Sequence, residues 1–170
     1  VRVHPTMIPS EHQLATVNGV FNAIYVVGDA VGETMFFGEG AGSGPAASAV
    51  MGDVLEVARH IQAGIKPIVG CTCTDVVPIL EMENLKTKYY LRFVVADRSG
   101  VLAATADIFA KYDVSVQSVT QRGTKARNEV DLVFLTHTAE ERNLRKVIEE
   151  ILALDGVVVG GEPSLVRVED

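Results

Sequence analysis

Two stretches of this 170-residue chain have residue types and spacing suited to binding chemistry. The first is Gly38-Glu39-Gly40-Ala41-Gly42-Ser43-Gly44-Pro45, which runs into a segment where Ala47, Val50, Val54, Val57, Ala58 and Ile61 recur at helical spacing. Glycines ahead of a helix let an anion come close, and the unpaired N–H groups of a first helical turn attract negative charge. Neither frame completes a dinucleotide fingerprint: the sixth position is Ser43 counted from Gly38 and Pro45 counted from Gly40. A purely structural glycine turn stays open beside the anion-binding reading. The second stretch, Asp97-Arg98-Ser99-Gly100-Val101-Leu102, joins a β-rich apolar run to another helical pattern. Free N–H groups there can receive a small carboxylate, with Gly100 leaving room for it; an ordinary tight turn is the alternative.

The remaining reactive residues point to no catalytic centre. His4, His12, His60 and His137 are scattered without a metal-ligand spacing, so all four read as structural and no metal is expected. Cys71 and Cys73 lack the CxxC spacing of a redox or zinc site and read as small buried hydrophobes in a reducing compartment. No nucleophile elbow or triad is visible. The 15 Lys and Arg against 22 Asp and Glu give a net charge of -7, which argues against nucleic acid as a partner. No apolar run reaches the roughly 18 residues needed to span a bilayer, and no secretory signal opens the chain. The expected location is the cytoplasm.

Composition divides the elements that must position these stretches into two modules. Residues 1–70 hold 10 of the 15 glycines and 9 charged side chains, whereas residues 71–170 hold 5 glycines and 28 charged side chains. In the first, Asn22–Val27 and Thr34–Phe37 are β-rich runs around turn residues, a hairpin signal, followed by the glycine loop and a helix. Pro45 suits the first helical position and Gly64 the stop. Val1–His4 reads as already within a strand, so the chain is expected to be a piece of something longer. In the second module the runs Tyr89–Ala96, Val101–Tyr112, Val114–Thr120, Val130–Thr136, Glu140–Leu154 and Val157–Val168 give the order βαββαβ, a ferredoxin-like arrangement. Its 12 basic against 16 acidic residues have the wrong sign for an RNA-recognition module, and its first loop lacks the CxxC of a metal carrier. A small-molecule regulatory module is what remains.

The residues themselves resemble a known family. Val3-His4-Pro5-Thr6-Met7-Ile8-Pro9, Val17-Asn18-Gly19, Asn22-Ala23-Ile24, Gly28-Asp29, Gly38-Glu39-Gly40-Ala41-Gly42, Pro45-Ala46-Ala47-Ser48-Ala49-Val50 and Asp53 look like the C-terminal part of bacterial homoserine dehydrogenases. Tyr89-Tyr90-Leu91-Arg92, the Asp97–Leu102 loop and Gly161-Glu162-Pro163 look like the ACT regulatory domain of the same family. The family usually has Thr where Ala46 stands, so no hydroxyl contact is carried over there.

The resemblance implies an α+β chain. Residues 1–66 would be a partial α/β segment, a hairpin plus helix, from the end of the catalytic and dimerisation domain; 67–86 a linker; and 87–170 the ferredoxin-like ACT domain. Gly40, Ala41 and Gly42 would line the NAD(P) site of the full enzyme, with no cofactor expected on this chain alone. The missing N-terminal Rossmann domain, the catalytic lysine and the substrate carboxylates would lie upstream of residue 1, so no catalytic residue is assigned here and the chain alone is expected to be inactive. ACT domains of this kind pair side by side and bind an amino acid where two meet. That places Asp97, Gly100, Val101 and Leu102 in the effector loop, Ser115 facing the ligand from the partner, threonine as the expected effector and a homo-oligomer as the expected state. A free-standing amino-acid-sensing dimerisation module without catalysis is the alternative.

Overall fold

The computed structural model describes residues 2–65, 76–124 and 128–169. Cys71, Cys73 and much of the expected linker lie outside the described residues, as does part of the polar loop before Asn128. The described residues fall into two compact units that do not follow chain order: Ser10–Val77 forms one, and the segment up to Pro9 belongs with everything from Pro78 onward in the other.

The chain opens with a two-residue strand, β1 (Thr6–Met7), rather than with the strand expected at Val1–His4. Pro5 has no N–H to give a sheet, and His4 spends its Nδ1 on the Thr6 hydroxyl at 2.9 Å, a local turn that competes with extension. In the Ser10–Val77 unit, His12 caps a short 3-10 turn, Gln13–Thr16, by accepting from the Leu14 N–H at 3.1 Å. Strands β2 (Phe21–Gly28) and β3 (Gly32–Glu39) then form the expected antiparallel hairpin, in register from Phe21↔Glu39 to Gly28↔Gly32. Helix α1 (Ser43–Ala63) follows, closed by Gly64 in the left-handed region at φ +65°. Pro45 is the third helical residue, not the first, because Gly42 takes the N-cap. No described residue of this unit is buried: Ile24 on the hairpin and Ile61 on the helix are 67% and 76% exposed. The apolar stripe that marks α1 in sequence stays more than half exposed at Val50, Val54, Val57 and Ile61.

The second unit holds the core. Strand β4 (Lys86–Ala96) alternates strictly, with Thr87, Tyr89, Leu91, Phe93 and Val95 buried, the period expected of a strand covered on one face. It is followed by α2 (Val101–Lys111), β5 (Val116–Thr124), β6 (Glu129–Thr136), β7 (Ala139–Glu140), α3 (Glu141–Leu152) and β8 (Ser164–Val168). The sheet order β1-β8-β4-β6-β5 places the ferredoxin-like strands as expected and adds β1, parallel, outside β8; β7 pairs with the start of β4. Leu144, Val147 and Ile151 of α3 and Ile108 and Phe109 of α2 pack onto the sheet, where the Phe109 and Phe134 rings lie 4.6 Å apart.

One strand boundary shifts. The last strand is Ser164–Val168 alone, not Val157–Val168. Gly156 and Gly161 have φ of +61° and +80°, and a Cβ on Gly160 would sit 2.3 Å from that of Val94, so the chain doubles back over β4 before it can extend. Val158 makes only a lone bridge to Val95. The end of the expected linker is also structured: Met82–Asn84 is a 3-10 turn, Leu85 is buried, and Lys86 already belongs to β4.

Candidate functional site

The loop between β4 and α2 is held from two sides. The Ala96 N–H donates to the Val157 carbonyl and the Asp97 N–H to the Asn128 carbonyl, both at 2.9 Å. Arg98 donates through Nη2 to the Asp155 carbonyl at 3.2 Å, tying the loop to the turn after α3. Gly100 then caps α2 at φ +90° without any side-chain cap, while its carbonyl accepts from the Ala104 N–H at 2.9 Å. The first N–H groups of the helix are left without intrahelical partners.

These features border a concavity of about 280 Å³. Asp97, Ser99, Gly100, Val101 and Leu102 line it together with Gln121 of β5, and Val95, Val130 and Leu132 supply the apolar part. The arrangement offers N–H donors at one end, the Asp97 carboxylate near by and a small apolar lining. A zwitterion with a short side chain has matching groups. Gln121, which sequence reasoning missed, donates through Nε2 to the Asp97 carboxylate at 3.4 Å and so steadies it. Its partner lies 24 residues away, and no local pattern announces the pair.

Four of the five expected effector residues thus meet in one place, and Ser115 does not join them within the protomer. Ser115 precedes β5 at the opposite end of the sheet, where its backbone carbonyl accepts from the His137 N–H at 2.9 Å and its Oγ lies 3.2 Å from His137 Nδ1. His137 therefore pins two strand ends together.

In the other unit, Gly40 and Gly42 are each explained by their surroundings. A Cβ on Gly40 would lie 2.4 Å from Asn22 Nδ2, and Gly42 sits at φ +131° against the Pro45 ring. Ala41, between them, is exposed. No side chain caps α1, so its first N–H groups face the loop unpaired, which fits a wall that a nucleotide could approach. Among the described residues no group of three His, Cys, Asp or Glu can hold a metal ion, and no helix is long and apolar enough to cross a membrane.

Comparison with known proteins bears on both units. Residues 1–55 match the homoserine dehydrogenase family model, and residues 89–156 match the ACT domain model. Homoserine dehydrogenases of Helicobacter pylori and Corynebacterium glutamicum are 36% and 39% identical to it over 170 and 169 residues, covering 100% and 99% of this chain and 39% and 37% of their own length. The crystal structure of a homoserine dehydrogenase from Thiobacillus denitrificans superposes with a TM-score of 0.84 at 40% identity, over 99% of this chain and 38% of that one. The resemblance to homoserine dehydrogenases holds over the whole chain. The Staphylococcus aureus homoserine dehydrogenase solved at pH 6.0 is more distant, with a TM-score of 0.52 at 28% identity over 97% of this chain and 36% of that one. The α+β class expected from sequence is borne out, and the second unit carries the match to the ACT domain model. The chain spans about two fifths of the length of the homoserine dehydrogenases it matches.

Proposed function

We propose that this chain is the C-terminal portion of an NAD(P)-dependent homoserine dehydrogenase, which interconverts homoserine and aspartate semialdehyde, and that its ACT domain binds threonine as a feedback effector. The division into a catalytic-domain end at 1–66, a linker at 67–86 and an ACT domain at 87–170 belongs to the same reading. The observation that carries the regulatory part is the Asp97–Leu102 concavity, where the uncapped start of α2 and Asp97 line one small volume. The α-carboxylate of threonine takes the N–H groups of Val101 and Leu102, and Asp97 accepts from its ammonium. Gly100 leaves the approach open, since nothing lies within 4 Å of where its Cβ would be.

A two-chain site accounts for Ser115. Among the described residues strand β5 is an open edge of the sheet, and antiparallel pairing of two such edges sets the start of one against the end of the other. Ser115 of the partner subunit then reaches the effector loop and bonds the threonine hydroxyl.

On the catalytic side, Gly40, Ala41 and Gly42 would hold the cofactor through backbone groups ahead of α1. Bound nicotinamide supplies a hydride acceptor. This chain's part is to line that site with glycines that no side chain obstructs, whereas positioning the substrate and taking its hydroxyl proton fall to residues not assigned here. The exposed apolar surface of the hairpin and α1 supports the reading, because a segment lifted from a larger body carries its inner face outward.

The test is an assay of the full-length protein with homoserine and each nicotinamide cofactor, with and without threonine. Homoserine-dependent cofactor reduction that falls in added threonine is the expected result. Absence of turnover overturns the catalytic reading, and turnover indifferent to threonine overturns the regulatory one.

A further inference from the structure

The chain passes between its two units twice, once after Pro9 and once before Pro78, and both passages are fastened to one end of the ACT domain. The first arrives through β1, whose Thr6 and Met7 pair with Arg167 and Val168 of β8; the Glu169 N–H donates to the Met7 carbonyl at 3.0 Å and Arg2 bridges Glu169 at 3.1 Å. The second arrives through Leu85, whose carbonyl accepts from the Glu141 N–H at 2.9 Å, and through Thr87, whose hydroxyl donates to the Val168 carbonyl at 3.0 Å. Between the two passages lies a carboxylate with no exposure at all, that of Glu141. It accepts from Arg167 through Nε at 2.9 Å and Nη2 at 2.6 Å, and from Arg145 through Nη2 at 2.6 Å.

A buried ion cluster is a poor source of net stability, since desolvation offsets most of the attraction; what it fixes is geometry. Here it locks α3 to β8, and with them the neighbours on which β1 and Leu85 sit. The effector loop lies at the other end of β4, roughly 33 Å away at about 3.3 Å per residue over ten residues. The covalent route from the loop to the Ser10–Val77 unit leaves by the clamped end.

We propose that the Glu141–Arg167–Arg145 cluster is a positioning device for regulation: it clamps both chain passages to the ACT domain, so that a change at the effector loop is transmitted to the Ser10–Val77 unit. The regulatory half rests on the threonine reading above; the clamping half does not.

The test uses the full-length protein and the double variant Glu141→Gln, Arg167→Met, which removes the charge of both Glu141 and Arg167, with Arg2→Ala, Glu169→Gln as a milder second variant that leaves the core intact. Hydrogen exchange is measured with and without threonine, alongside turnover. In the double variant, amides 6–8 and 166–169 should exchange at least tenfold faster while those of α2 keep their protection, with a smaller gain in the milder variant. Threonine should still bind within about threefold of wild type but inhibit at least tenfold less well. Unchanged exchange at those amides with α2 protected overturns the clamp, and full inhibition despite faster exchange overturns the transmission. Loss of α2 protection in the double variant transfers both judgements to the milder one. If threonine fails to bind wild type, the effector reading falls, and the exchange data still decide the clamp.

Discussion

Glu141 carries a pH dependence whose sign follows from its surroundings. Burial alone pushes its carboxyl up, but the hydrogen bonds from Arg167 and Arg145, together with their charges, outweigh that and hold it below the ordinary glutamate value. A carboxyl whose folded value is depressed contributes stability that is fully present above the unfolded value, about 4.3, and is lost as pH falls through the folded one. Acid titration of the folded chain should therefore show stability falling below that point, and less steeply in Glu141→Gln. At neutral pH the same substitution leaves Arg167 unpaired and is expected to cost toward the lower end of roughly 3–5 kcal/mol, since Arg145 still reaches water. A urea midpoint unchanged by Glu141→Gln contradicts this. Tyr89 behaves oppositely. Its hydroxyl is buried with no hydrogen-bond partner among the described residues, and burial, then the Glu141 charge, pushes it up to about 12. Tyr89→Phe removes an unsatisfied buried group, so the urea midpoint should hold or rise; a loss above about 1 kcal/mol would mean that the hydroxyl is satisfied after all. Of these residues the sequence reveals only the Glu141 to Arg145 spacing of four on a helix. Arg167 and Tyr89 reach Glu141 through sheet pairing, which no local pattern encodes.

Strands and helices were largely legible wherever one face is buried. The alternation of β4 and the 3.6-residue period of α3 are imposed by the same core, and both elements stand where the pattern places them. Legibility failed where backbone constraints override propensity. The valines at 157–159 have strand character, yet positive-φ glycines on either side and the close passage of Gly160 over Val94 turn the chain there. Strand β1 failed differently: two residues carry no period, and only the free edge of β8 gives them a partner. Helix α1 reads from sequence like α3, but the two differ in what their apolar faces meet. Leu144→Ala should lower stability by about 2–5 kcal/mol by opening a cavity, whereas Ile61→Ala should stay within about 0.5 kcal/mol in the dilute 170-residue chain. Equal losses in urea denaturation would show that α1 has a core of its own.

For the whole molecule, one unit in which no described residue is buried and another that holds the core imply that association supplies what folding leaves uncovered. The β5 edge, open among the described residues, adds a second sticky surface. The chain should sediment as a dimer or larger at micromolar concentration; an 18.2 kDa monomer across that range contradicts both surfaces. Ligand that bridges two chains should shift the equilibrium further toward dimer. The loop between β4 and α2 was readable from its residues as a site or a turn, and the structure adds the concavity and Gln121, both products of tertiary folding. Calorimetric titration of the chain with threonine, serine, methionine and lysine, on wild type and Gly100→Leu, tests the central claim most directly. Gly100 stands at φ +90°, so a leucine there strains the turn as well as crowding the carboxylate. Threonine should give heat with wild type and at least tenfold weaker binding with the variant, whose helix content is retained; no heat with any amino acid, or equal binding by the variant, would contradict the account.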